Sequence, residues 1–178
     1  MKDKSVYIIL MNTGTLLSRV IRMITRYPYT HVVLSMDNTY TKLYSFGRKR
    51  VHNFLNAGLV TYGIESAFFK VYKNTECVIY EIKVDAKKYK KLQNILIDFE
   101  KNMSVYRYDI RGLLIRYFYN NAKCRENYYV CSQFVATVLQ ESTIHEFEKP
   151  TKLVKPYDFL SIPNIEKVYE GKFLGARI

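Results

Sequence analysis

Few side chains in this sequence can perform nucleophilic chemistry, and two of them stand in positions that favour it. Cys131 opens the run Val130-Cys131-Ser132-Gln133-Phe134-Val135-Ala136-Thr137-Val138-Leu139, which reads as the start of a helix with Phe134, Val135, Val138 and Leu139 on its inward stripe. At a helix N-terminus the unpaired amides and the macrodipole stabilise a thiolate, and the same amides can hydrogen-bond the oxyanion of an acyl intermediate. His31 opens the β-rich run Thr30 to Met36, where a strand holds a side chain in a fixed direction. A thiol on a helix start facing an imidazole on a neighbouring strand is the arrangement that cysteine acyl transfer needs. Either residue alone is ordinary core material. The pair carries the reading.

The remaining candidates point elsewhere. Cys77 and Cys124 bring the thiols to an odd number with no paired-ligand spacing, which argues against a disulfide framework and against a zinc cluster. His52 follows Arg48-Lys49-Arg50 and reads as a surface residue, while His145 sits in a polar turn near Glu141, Glu146 and Glu148. No carboxylate–histidine spacing suits a metal, and there is no Gly-rich phosphate loop and no Gly-x-Ser-x-Gly elbow. No metal and no cofactor are expected.

The elements that position the pair follow from periodicity. Val6 to Met11 reads as a buried first strand ending in a turn at Asn12-Thr13-Gly14, and Thr15 caps a helix that Pro28 stops. Thr30 to Met36 and Thr41 to Gly47 form a hairpin around Asp37-Asn38. Phe68 to Tyr72 and Cys77 to Val84 read as a second strand pair. Asp85 caps a helix with Leu92, Ile95, Leu96 and Phe99 on one side, and a short helix spans Ile110 to Phe118. The tail, punctuated by Pro150, Pro156 and Pro163, reads as a strap with one helical turn at Tyr157 to Leu160. No repeat, linker or second boundary interrupts residues 1–178, so one α+β domain is expected.

Composition bounds the partners. There are 28 Lys plus Arg against 16 Asp plus Glu, a net charge of +12. Such a field favours anionic partners, among them an anionic polymer or a membrane surface. Nucleic acid is a weaker candidate: the tyrosines and arginines between Tyr106 and Tyr129 would stack on bases in a non-catalytic binding module, but the alternative is that they pack between helix and sheet. The apolar run at the N-terminus is too short for a signal-peptide core, and no stretch approaches the ~20 residues of a transmembrane helix. A cytoplasmic location is expected, with signal-less secretion left open.

Leu10 to Ser18, then Tyr29-Thr30-His31-Val32, Leu43 to Lys49 and Val130 to Val135, resemble the circularly permuted, papain-like branch of the NlpC/P60 superfamily, the YiiX/YaeF-like amidases. In that branch the histidine strand precedes the cysteine helix. The resemblance implies a single permuted papain-like domain, an antiparallel sheet packed against the helix that carries the cysteine. It implies a cysteine amidase or peptidase with Cys131 as nucleophile and His31 as general base and then acid. The third group of the family lies on the strand after the histidine, which makes Ser45 the candidate; Glu65 and Asp109 are outsiders and Asp37 belongs to the hairpin turn. Tyr44 and Tyr128 are the expected substrate-binding residues. Related permuted folds resemble lecithin–retinol acyltransferases, so the substrate is a peptide, an amide or a lipid ester.

Overall fold

β1 (Lys4–Asn12) is buried continuously from Val6 to Met11, because it lies inside a sheet that is covered on both faces. The computed structural model describes residues 3–50, 53–119 and 125–176. After β1 come α1 (Leu16–Thr25), β2 (His31–Ser35), β3 (Leu43–Arg50), β4 (Asn53–Tyr62), α2 (Ala67–Val71), β5 (Glu76–Val84) and α3 (Ala86–Lys101). β6 (Arg107–Tyr108), α4 (Ile110–Tyr119), β7 (Tyr128–Tyr129), α5 (Cys131–Glu141) and β8 (Glu166–Lys172) complete the order. Six strands form one antiparallel sheet, β4-β3-β2-β1-β5-β8, while β6 and β7 make a small parallel pair.

Side chains alternate across a strand, so each face has its own set. Val6, Ile8, Leu10, Val32, Leu34 and Phe46 pack on one face against Leu92, Leu96 and Phe99 of α3 and Phe134, Val135 and Val138 of α5. Tyr7, Ile9, Met11, Val33 and Leu43 point to the other, where Ile64, Phe69 of α2 and Phe173 of the tail cover them. Asp85 caps α3 by accepting a hydrogen bond from the Lys88 amide at 2.8 Å. Among the described residues no helix is long and apolar enough to cross a membrane.

Two expectations are corrected. Residues 68–72 do not form a strand: Ala67–Val71 is a helix, and the strand that joins the hairpin is β4. A short apolar run such as Phe68-Phe69 fits either element, and only its packing on Tyr62 and Phe173 decides the matter. The tail is more than a strap, since Glu166–Lys172 adds an edge strand to β5. Its partly exposed residues hide the strand period, and backbone pairing supplies what the pattern lacks.

Candidate active site

The turn between β1 and β2 is tied down by short polar side chains. Gly14 takes a positive φ of 65°, Thr15 accepts the Ser18 amide at 3.2 Å, and Ser18 Oγ meets Thr30 Oγ1 at 2.7 Å and Asn12 Oδ1 at 3.2 Å. The Thr30 amide also donates to the Met11 carbonyl at 3.0 Å. These bonds fix the entry to β2, where His31 is the first residue.

β2 and β3 pair only at Leu34–Tyr44 and Ser35–Leu43, then separate. In the gap Ser45 turns its hydroxyl onto the Val32 carbonyl, donating at 2.7 Å, and its oxygen lies 3.3 Å from His31 Nε2. With the serine proton committed to Val32, Ser45 can only accept from Nε2. Tyr62 Oη lies 3.4 Å from the same nitrogen. Both oxygens anchor the ring at Nε2, and the tautomer in which both accept carries its proton there and its lone pair on Nδ1. Nδ1 takes no hydrogen-bond partner among the described residues. Burial lowers the His31 pKa to about 4, so the ring is neutral at neutral pH.

Cys131 is the first residue of α5 and is 4% exposed. Its N-cap, Val130, offers no side-chain hydrogen bond and the first turn holds no acid, so no capping side chain competes for the amides beside the thiol. Ser132 Oγ donates to the Val154 carbonyl at 2.6 Å, which pins this turn to the tail, and Gln133 Oε1 is buried with no partner among the described residues.

The thiol and the imidazole do not face each other across one side of the sheet. Strand register gives His31, Ser45 and Tyr62 to the face that carries Met11 and Val33, whereas α5 packs on the opposite face. They lie at the same end of it. Val130 clusters with Ile21 of α1, the helix that joins β1 to β2, and Phe134 packs on Phe46 with ring centroids 5.1 Å apart. The pKa of Tyr62 is raised, first by burial and then by the charge of the Cys131 side chain.

Beside His31 opens a cavity of about 1220 Å³, larger than the ~300–1,000 Å³ of most small-molecule sites. Val20, Ile21, Phe46, Leu59, Phe68 and Ile110 give it apolar walls, and Arg48 and Tyr62 are among its polar residues. Tyr44 and Tyr128 do not line it. Tyr44 is 7% exposed within the core cluster, and Tyr128 carries the Arg125 guanidinium 3.8 Å above its ring.

The other candidates have structural partners. Asp109 accepts from the Gly112 amide at 3.0 Å and from Arg125 at 2.9 Å, which caps α4. Asp37 accepts from the Thr39 amide at 2.9 Å in the hairpin turn, Glu65 is exposed, and His145 packs edge-on against Phe147. His52 and Cys124 lie outside the described residues. Tyr106 and Tyr129 pack with Phe46 and Phe99, so these rings belong to the core and not to a stacking platform.

Tyr62 is the site residue that sequence reasoning missed. The signal lay in the register of the second hairpin: once Leu43 pairs with Tyr62, both residues take the face of Ser45. If Ser45 and Tyr62 orient the ring, Ser45→Ala and Tyr62→Phe are each expected to lower kcat/KM by about tenfold, the scale of one hydrogen bond. Steady-state kinetics with an activated ester measures this.

No protein-family model matches the chain, and no curated protein matches it in sequence.

Proposed function

We propose that this protein is a cysteine hydrolase of the permuted papain-like kind, which cleaves an amide or ester through an acyl-enzyme on Cys131. The observation that carries the reading is the neutral His31 ring, anchored at Nε2 beside Ser45 and Tyr62 at the end of the sheet where α5 begins with Cys131. In this reading the two groups, set on opposite faces by the register, meet around that end, and His31 takes the thiol proton as the Cys131 sulfur attacks the substrate carbonyl. The first-turn amides of α5 receive the oxyanion, and His31 then gives its proton to the leaving group. Water, deprotonated by the same imidazole, releases the acid and restores the thiol.

Burial keeps His31 neutral, so the resting pair is a thiol and an imidazole rather than an ion pair. The base therefore works by removing the proton during attack. With Ser45 in place of a carboxylate, the imidazolium formed in that step is stabilised by a neutral oxygen only, which favours activated or well-bound substrates.

The cavity favours a second version of the same chemistry, in which the acyl group is a lipid chain and the acceptor is an alcohol or amine. Its walls are apolar and run up to His31. Incubation with 4-nitrophenyl esters of increasing chain length, followed by intact mass and peptide mapping, tests both versions. The expected result is an acyl adduct on Cys131 that forms faster with longer chains. No adduct on Cys131 with any ester overturns the thiol mechanism, and an adduct without chain-length dependence removes the lipid version.

A further inference from the structure

The cavity opens between helices whose outer sides are apolar and cationic together. On α1, residues three and four apart share a side, so Met23 and Ile24 continue the wall that Val20 begins. Met23 is 75% exposed and Ile24 38%. On α2, Val71 lines the cavity and is 55% exposed. Val71 stands on the cavity wall itself, and Met23 and Ile24 follow Val20 of that wall by one helical turn.

The charged residues of the helices beside the cavity are all basic. The sequences of α1, α2 and α4 contain Arg19, Arg22, Lys70, Arg111 and Arg116 and no carboxylate. Arg26 follows at the exposed C-cap of α1. On the helical wheel of α1, Arg19, Arg22 and Arg26 form one stripe, and Val20 and Ile24 lie on the other side of the helix. The acid nearest in sequence is Glu65, ahead of α2. Inside the cavity Arg48 stands half-buried on the wall and forms no ion pair with a carboxylate among the described residues.

On α1 the exposed Met23 borders the arginine stripe, and a cationic helix with an exposed apolar side chain at the edge of its charges is the pattern of a segment that lies against a bilayer interface. Exposed apolar side chains need an apolar phase, and the cations beside them need anions at the same level; a membrane with anionic headgroups offers both in that order. A soluble polyanion such as RNA offers only the second. We propose that α1 and α2 dock this protein onto the surface of an anionic bilayer, with Met23 and Val71 in the acyl region and Arg19, Arg22 and Arg26 at the phosphates. The docked cavity opens into the lipid, and Arg48 meets the charged group of a lipid that enters it. The inference stands on these helices and the cavity and is independent of the thiol.

The test is co-sedimentation of the full chain with vesicles of phosphatidylcholine alone or mixed with phosphatidylglycerol, at low and at physiological salt. The expected result is binding to the anionic vesicles at least about tenfold tighter than to the neutral ones, weakening as salt screens the arginines. Arg22→Gln with Arg26→Gln is expected to weaken it by about fivefold per charge removed. Met23→Glu with Val71→Glu, at the two most exposed of these side chains, is expected to weaken it by at least about tenfold at an unchanged melting temperature. Cys131→Ala should bind as the wild type does, so failure of the hydrolase reading and failure of docking are distinguishable. The proposal is overturned by absence of binding to anionic vesicles, or by binding to single-stranded RNA without binding to vesicles. Binding that survives the Met23 and Val71 substitutions but is lost in Lys87→Gln with Lys90→Gln and Lys91→Gln also overturns it, because the docking face is then α3.

Discussion

Cys131→Ala is expected to abolish both turnover and the acyl adduct, with kcat/KM falling on the order of 10⁴-fold or more. The size follows from the role. Without the sulfur no thioester forms, and the oxyanion donors and the cavity retain only the rate that binding and electrostatics give to direct attack by water. The fold should survive, because the substitution removes one sulfur from a site bounded by Val130, Phe134 and the sheet and costs about 1 kcal/mol or less. A melting curve close to the wild type, beside absent turnover, separates loss of chemistry from loss of structure. Cys77→Ala is the control. That thiol is buried among the side chains of the other face, burial raises its pKa to about 12, and its removal is expected to leave turnover intact.

His31→Gln carries the second large effect, and it has two readouts. Activity needs the neutral ring, so kcat/KM of the wild type should stay level from neutral pH downwards and fall only near the lowered pKa of about 4. An unperturbed histidine would give a limb near 6.5 instead. The substitution removes the base and is expected to lower kcat/KM by about 10²–10⁴.

The same pKa shift makes stability depend on pH. The unfolded chain binds a proton at His31 below about 6.5 while the folded chain resists it down to about 4, so stability falls as pH drops through that window. The loss approaches about 3 kcal/mol at its foot, with no further change below. His145, whose pKa is also lowered by burial, and Glu141, whose pKa is raised by burial, titrate in both proteins. Urea unfolding of wild type and His31→Gln at neutral and acidic pH therefore isolates the His31 contribution as a difference in slope. Equal slopes would show that the ring titrates as an ordinary histidine.

Much of the framework was legible before any coordinates. Val6 to Met11 has no polar interruption because both of its faces are covered, and that alone identifies a central strand. Thr15 and Asp85 announce α1 and α3 as caps, and both accept an amide from three residues on. The family resemblance, which puts its third group on the strand after the histidine, pointed to Ser45, and the structure sets Ser45 3.3 Å from His31 Nε2. What escaped was whatever depends on pairing over distance. β4 carries Asn53, Asn56 and Gly58 among its apolar residues, so its strand period is diluted, and Tyr62 at its end could not be assigned a face without the register. The face of His31 escaped for the same reason: a shift of one residue in register exchanges the two sides of a strand, and nothing local in Thr30-His31-Val32 selects one. Tyr44 was expected at the substrate through the resemblance. It is instead taken into the core beneath α5.

The central claim is that His31 activates the Cys131 sulfur, and the rate of thiol alkylation measures this without knowledge of a substrate. Wild type and His31→Gln would be treated with iodoacetamide across the acidic and neutral range, with the modified cysteine located by peptide mapping. The account predicts that Cys131 is alkylated faster in the wild type than in His31→Gln near neutral pH, because only the wild type has a base to take the thiol proton, while Cys77 reacts alike in both. Equal rates at Cys131 in the two proteins would contradict it.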